Sequence, residues 1–174
     1  MVEGRSVKIG LLSDSHGMTR RLSPALRQLK EAGAQAIVHC GDICSAQCMQ
    51  QLGECGLPVY AVAGNMDRHA SGIYEAARRH NICFAEDFVA LPVGNGKHLA
   101  ATHGHLSHML EELILGEQFS YVCHGHTHRL RDERIGSARV INPGALRGPR
   151  GHHGPTFALL DTDTDELTVF ELED

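Results

Sequence analysis

Five times along this chain a short apolar run stops at a cluster of Asp, His, Asn and Gly. The clusters are Asp14-Ser15-His16, Gly41-Asp42, Gly64-Asn65-Met66-Asp67, Thr102-His103-Gly104-His105 and Gly125-His126-Thr127-His128. The runs before them, 7–13, 36–39, 58–63, 97–102 and 119–123, read as buried strands. Helical patterns lie between the early strands. Leu22, Leu26 and Leu29 recur at helical spacing, with Ser23-Pro24 as cap and first turn and Gly33 as stop. Residues 45–52 read as a short helix stopped by Gly53, and 73–80 as a helix ended at Asn81. This alternation predicts parallel strands covered by helices. In such sheets the carboxyl ends of the strands converge on one crevice, where ligands bind.

The second half is richer in strands. Residues 82–85 and 88–93 read as strands, Gly94-Asn95-Gly96 as a turn, and 107–115 as a helix capped by Ser107 and stopped by Gly116. Residues 138–141, 156–161 and 167–172 are strand-like, the last two pairing as a hairpin across 162–166. The expectation is one α/β domain over residues 1–174, with a mixed sheet or two sheets packed face to face and flanked by helices.

A chain of 174 residues, 42% apolar and 21% charged, can bury a core without a disulfide. Its six cysteines form no C-x-x-C pair, which predicts reduced thiols and a cytoplasmic protein. Cys44 and Cys48, spaced four apart, read as small buried hydrophobes. The first residues lack the pattern of a signal peptide, and no apolar run is long enough to span a bilayer. A net charge of −5 argues against dedicated nucleic-acid binding. The departure from ordinary composition is 13 histidines.

Convergence of the strand ends brings Asp14, His16, Asp42, Asn65, His103, His126 and His128 together. Carboxylate, amide and imidazole donors in this mixture suit first-row divalent metals. Seven are too many for one tetrahedral ion and fit two ions sharing a carboxylate. Residues i and i+2 of an extended segment point the same way, so Asp14 with His16, and His126 with His128, can each grip from one strand end. The glycines before Asp42, Asn65 and His126 allow sharp turns. Each cluster alone also fits an ordinary polar turn; their order carries the metal reading.

That order, D-x-H, G-D, G-N-x-D, H-G-H and G-H-T-H, resembles the calcineurin-like metallophosphoesterase superfamily. The segment Asn-Pro-Gly-Ala-Leu-Arg-Gly-Pro-Arg-Gly at 142–151 resembles its small prokaryotic phosphodiesterase branch, the YfcE type. The resemblance implies a four-layer αββα sandwich and a two-metal hydrolase. It implies that Asp14, His16 and His128 bind one ion, that Asn65, His103 and His126 bind the other, and that Asp42 bridges them. Mn²⁺ is the expected metal, with Fe, Zn, Ni or Mg as alternatives. The expected chemistry is attack on a small phosphodiester by a hydroxide held between ions roughly 3.5–4 Å apart.

In the catalytic set, Asn65 doubles as a phosphate-oxygen donor, and Asp67 orients its loop or a neighbouring histidine. One position departs from the pattern: Met66 stands where many members carry a histidine that serves as candidate general acid. His105 is the candidate substitute. Arg129, Arg147 and Arg150 are candidates for a positive rim that attracts phosphate. His152 and His153 read as solvated loop residues, and His39 as packed or supporting. The expected partner is a small phosphorylated substrate, with no membrane, and a homodimer through hydrophobes of the final hairpin is possible. The alternative function is a non-catalytic metal-binding scaffold on the same fold, as the retromer subunit of this branch implies. An amidohydrolase-like metalloprotein is weakened by the short length and the lack of an H-E-x-x-H helix.

Overall fold

Residues 7–148 and 154–173 are described by the computed structural model. Four strands alternate with helices: β1 (Lys8–Leu12), α1 (Thr19–Glu31), β2 (Ala36–His39), α2 (Ala46–Glu54), β3 (Val59–Val62), α3 (Ile73–Arg79) and β4 (Cys83–Ala85), with one 3₁₀ turn at Asp67–His69. There follow β5 (Phe88–Pro92), β6 (His98–Thr102), α4 (Ser107–Leu115), β7 (Tyr121–Cys123), β8 (Leu130–Ile135), β9 (Ala138–Pro143), β10 (Thr156–Asp161) and β11 (Glu166–Glu171).

These strands form two mixed sheets, ordered β11-β10-β1-β2-β3-β4 and β5-β6-β7-β9-β8. β1 to β4 run parallel, and β10 joins β1 antiparallel. In the second sheet β6, β7 and β9 run parallel between antiparallel edges.

The alternation of strand side chains builds the layers. Ile9, Leu11 and Val38 point inward and meet Leu91, Leu99, Tyr121 and Ile141 of the second sheet. Leu12 and Ile37 point the other way, onto Leu22, Leu26 and Leu29 of α1 and Met49 and Leu52 of α2. On the far side, Leu113 and Ile114 of α4 cover Val122 and Val140. The result is the expected αββα sandwich.

Four local expectations are corrected. α1 begins at Thr19, and Pro24 lies inside it. Near this start the Arg21 guanidinium donates to the carbonyls of Leu146 (3.2 Å) and Arg147 (2.6 Å). Ser107 is the first helical residue of α4 rather than its cap, and no side chain caps that end. Gly53 does not stop α2, which runs to Glu54. A Cβ on Gly53 would lie 2.2 Å from the Cβ of His80, so the glycine serves the close approach of α2 to the end of α3. β8 was not anticipated. It is an edge strand whose residues are exposed or half-buried, so it carries no apolar pattern.

Candidate metal centre

The site sits on the loops that leave the carboxyl ends of the parallel strands. The β1 and β2 loops remain zipped beyond the sheet: Asp14 N–H donates to the Gly41 carbonyl (3.0 Å), His16 N–H to Asp42 (2.8 Å) and Gly17 N–H to Ile43 (2.9 Å). Five of the seven candidate ligands are left-handed: Asp14 (φ 52°), His16 (44°), Asp42 (55°), His126 (65°) and His128 (58°). Each such residue costs about 1–2 kcal/mol. The paired side chains therefore converge through left-handed turns and not through strand alternation as expected. Two glycines admit this crowding. A Cβ on Gly64 would lie 2.0 Å from Asp42 Oδ1, and one on Gly125 would lie 1.8 Å from Ser13 Oγ.

All seven candidate ligands gather at this end of the fold. Asp14 Oδ1 lies 3.1 Å from His128 Nε2 and 3.7 Å from His16 Nε2. Asp42 Oδ2 stands between two imidazoles, 3.5 Å from His16 Nε2 and 3.5 Å from His103 Nε2. Asn65 Oδ1 is 3.1 Å from His103 Nε2. The His126 ring meets that of His103 edge-on, with centroids 5.1 Å apart, and its backbone N–H donates to Asp14 Oδ2 (3.0 Å). Two trios each hold their ligand atoms within 4.8 Å of one another: Asp14, His16 and His128, and Asp14, Asp42 and His103.

The donor set fits metal ions on two counts. Asp14 Oδ1 and His16 Nε2 are buried without a hydrogen-bond partner. Such orphaned atoms are costly unless something satisfies them. Further, His103 Nδ1 lies 2.7 Å from the Cys40 carbonyl, which can only accept, so Nδ1 carries the proton. In neutral His103 the Nε2 lone pair then faces the Asn65 oxygen, an arrangement a shared cation satisfies.

The electrostatics agree. Burial pushes the Asp14 carboxyl up, but the His128 and His16 imidazoles, His103 and the Ser13 hydroxyl outweigh it and hold Asp14 well below the usual range. Burial likewise opposes a lowered Asp42, where His103 and the Met66 N–H prevail. His103 is itself raised, burial being outweighed by Asp42 and Asp14. The cluster is built to hold anionic oxygen beside positive charge.

Supporting groups fix these ligands. Asp67 is buried and accepts from the N–H groups of Ile43 (3.2 Å), Cys44 (2.7 Å) and Gly64 (2.8 Å). These bonds tie the loops after β2 and β3 together. The His105 ring lies 5.4 Å from His103 and 6.3 Å from His126, and its buried Nδ1 has no hydrogen-bond partner. Burial, then the neighbouring charges of His103 and Arg68, lower His105.

His124, next to the Gly125-His126 cluster, is buried against Gly125, Asn142 and Arg131. Arg129 and Leu130 line a cleft of 480 Å³ that includes His126. Arg147 is exposed, while Arg150, His152 and His153 lie outside the described residues.

Sequence reasoning missed one support, Asn142, and left His39 open between packing and support. Asn142 donates to the Gly125 carbonyl (2.9 Å) and Thr127 Oγ1 (3.0 Å) and accepts from Gly144 N–H (3.0 Å), shaping the loop of His126 and His128. The Pro-Gly after it was the available signal. His39 Nδ1 accepts from Gly41 N–H (3.2 Å), so its Nε2 donates to Ser15 Oγ (3.0 Å), joining the first two ligand loops from beneath.

The profile of the calcineurin-like phosphoesterase superfamily domain matches residues 7–165. Phosphodiesterase MJ0936 of Methanocaldococcus jannaschii is 29% identical over 170 residues, covering 96% of this chain and 100% of its own. Phosphodiesterase YfcE of Escherichia coli is 29% identical over 181 residues, covering 97% and 94%. A solved structure described as a novel archaeal phosphodiesterase superposes with a TM-score of 0.84 at 28% identity, covering 95% of this chain and 99% of the other.

Proposed function

The chain belongs to the calcineurin-like phosphoesterase superfamily, and from that premise we propose that it hydrolyses small phosphodiesters with two divalent ions, Mn²⁺ foremost. The observation that carries this reading is Asp42, whose Oδ2 stands 3.5 Å from an imidazole on each side. A single carboxylate oxygen between two imidazoles is what a bridging ligand requires. In this reading Asp14, His16 and His128 hold one ion, and Asn65, His103 and His126 the other. Two such ions, when bound, acidify a water for attack and neutralise phosphoryl charge.

The chain's own residues do the rest. The Met66 N–H, 2.9 Å from Asp42 Oδ1, fixes the carboxylate so that Oδ2 stays central. The Asn65 side chain is exposed, so its amide N–H₂ can reach a phosphoryl oxygen while its carbonyl faces the second position. Met66 has no proton to give a leaving alkoxide. His105, whose ring lies beside those of His103 and His126, is the candidate for that role. Arg129, exposed on the adjoining cleft, supplies positive charge for the substrate's approach.

The test is hydrolysis of an aryl phosphodiester by chelator-stripped protein, with and without Mn²⁺. Turnover should require the metal and fall at least a hundredfold in Asp42→Asn. His105→Ala should slow alkyl esters more than aryl esters, because only a poor leaving group needs the proton. Tight metal uptake without turnover on any ester would overturn the hydrolase and favour the scaffold reading.

A further inference from the structure

Metal-binding histidines are normally held by a carboxylate, carbonyl or water on the ring nitrogen that faces away from the ion. His103 follows that rule through the Cys40 carbonyl at 2.7 Å. His16 does not. Its Nε2 faces Asp14 and Asp42, and its Nδ1 lies 3.6 Å from the sulfur of Cys44.

The placement of that sulfur is built. Cys44 is left-handed (φ 65°), a conformation that costs energy for any side chain other than glycine or asparagine. Its N–H is held by Asp67 Oδ1 at 2.7 Å. The loop before it is zipped to the His16 loop by the Asp42 and Ile43 carbonyls. These bonds fix Cys44 under the His16 ring. The orphaned Asp14 Oδ1 and His16 Nε2, both buried, mark what the ring is aimed at.

We propose that Cys44 is the positioning residue for His16, accepting its Nδ1–H through sulfur and so turning Nε2 toward the ion shared with Asp14 and His128. A thiol sulfur is a weaker acceptor than a carbonyl oxygen. The His16 ring is therefore held less firmly than the His103 ring. The inference rests on the two-ion reading above.

The experiment is calorimetric titration of Mn²⁺ into chelator-stripped protein, which reads binding and not turnover. Cys44→Gly removes the sulfur and suits the left-handed backbone, so it folds without added strain. It should weaken one of the two binding events by about tenfold, the low end for loss of such a support, and leave the other unchanged. Cys44→Asn also tolerates that backbone, and its amide oxygen reaches further than the thiol. It should restore or exceed wild-type affinity at the same position. Equal titrations for wild type and Cys44→Gly would overturn the role of Cys44 while leaving the two-ion reading intact. A wild-type protein that takes up fewer than two ions would overturn both.

Discussion

At the scale of single residues, the histidines divide by what surrounds them. His39 and His124 are buried among partners that leave no place for a second proton. Burial, ahead of the neighbouring charges, lowers each to about 4 from an ordinary 6.5. A base whose pKa is depressed on folding binds fewer protons in the folded chain. Stability is therefore full above pH 6.5 and falls as the pH drops toward 4. For the entirely buried His39 the loss across that window is about 3 kcal/mol.

The carboxylates act elsewhere. Asp14 and Asp42 are lowered on folding, so their contribution persists above their ordinary value of 3.8 and is lost only below it. His103 is raised, so its contribution is complete below 6.5 and fades as the pH rises above that. The metal-free protein should therefore lose stability to urea between pH 6.5 and 4, and His39→Asn should flatten that slope. A flat profile for wild type across the window would show that neither histidine is held neutral.

At the scale of elements, Gly53 is the last residue but one of α2, and glycine inside a helix ordinarily costs up to about 1 kcal/mol against alanine. Here the balance reverses, because an added Cβ meets the Cβ of His80 at 2.2 Å. Gly53→Ala should destabilise by about 1–3 kcal/mol, as overpacking does. His80→Gly, which removes the opposing atom, should relieve most of that in the double variant, while His80→Ala, which keeps it, should not. Equal rescue by both would place the conflict in the ring.

The same residue shows what was legible in the sequence. The strands β1 to β3, the hairpin of β10 and β11 and the polar strand ends declare themselves by local pattern, because burial imposes apolar runs that stop where the sheet stops. A glycine that faces a neighbouring helix looks, in sequence, like a glycine that ends its own. Near the start of α1, Arg21 bonds to residues 146 and 147, more than a hundred residues away, which no local pattern announces. β8 pairs through its backbone and leaves no periodic trace. At the site, the candidate ligands were legible because Asp, His and Asn recur at the ends of successive strands. Their left-handed turns, the clamp made by Asp67 and the contact of Cys44 with His16 arise from loops meeting in space.

At the scale of the whole molecule, the two sheets are joined by an apolar layer with polar ties at either end. One end is the candidate metal centre, to which the first sheet brings Asp14, His16, Asp42 and Asn65 and the second His103, His126 and His128. The other tie lies at the start of β1. Asp161 there pairs with Lys8, and the β10–β11 turn carries Asp165. Asp165 accepts from Tyr121 Oη (2.9 Å) and from the Arg139 guanidinium (3.1 Å), both on the second sheet. That tie needs no metal, whereas the first leaves buried atoms unpartnered without one. Metal binding should therefore stabilise the fold from one end. At a concentration a hundredfold above the dissociation constant the gain is about 2.7 kcal/mol, which for a chain of this length raises the melting temperature by about 5–10 °C. Hydrogen exchange should distinguish this from general tightening. Chelation should speed exchange of the Asp14, Asp42 and His126 amides, while those of β9 and the β10–β11 turn hold their protection. A melting temperature indifferent to Mn²⁺, or exchange that quickens equally at both ends, would mean that ions do not hold the two sheets together.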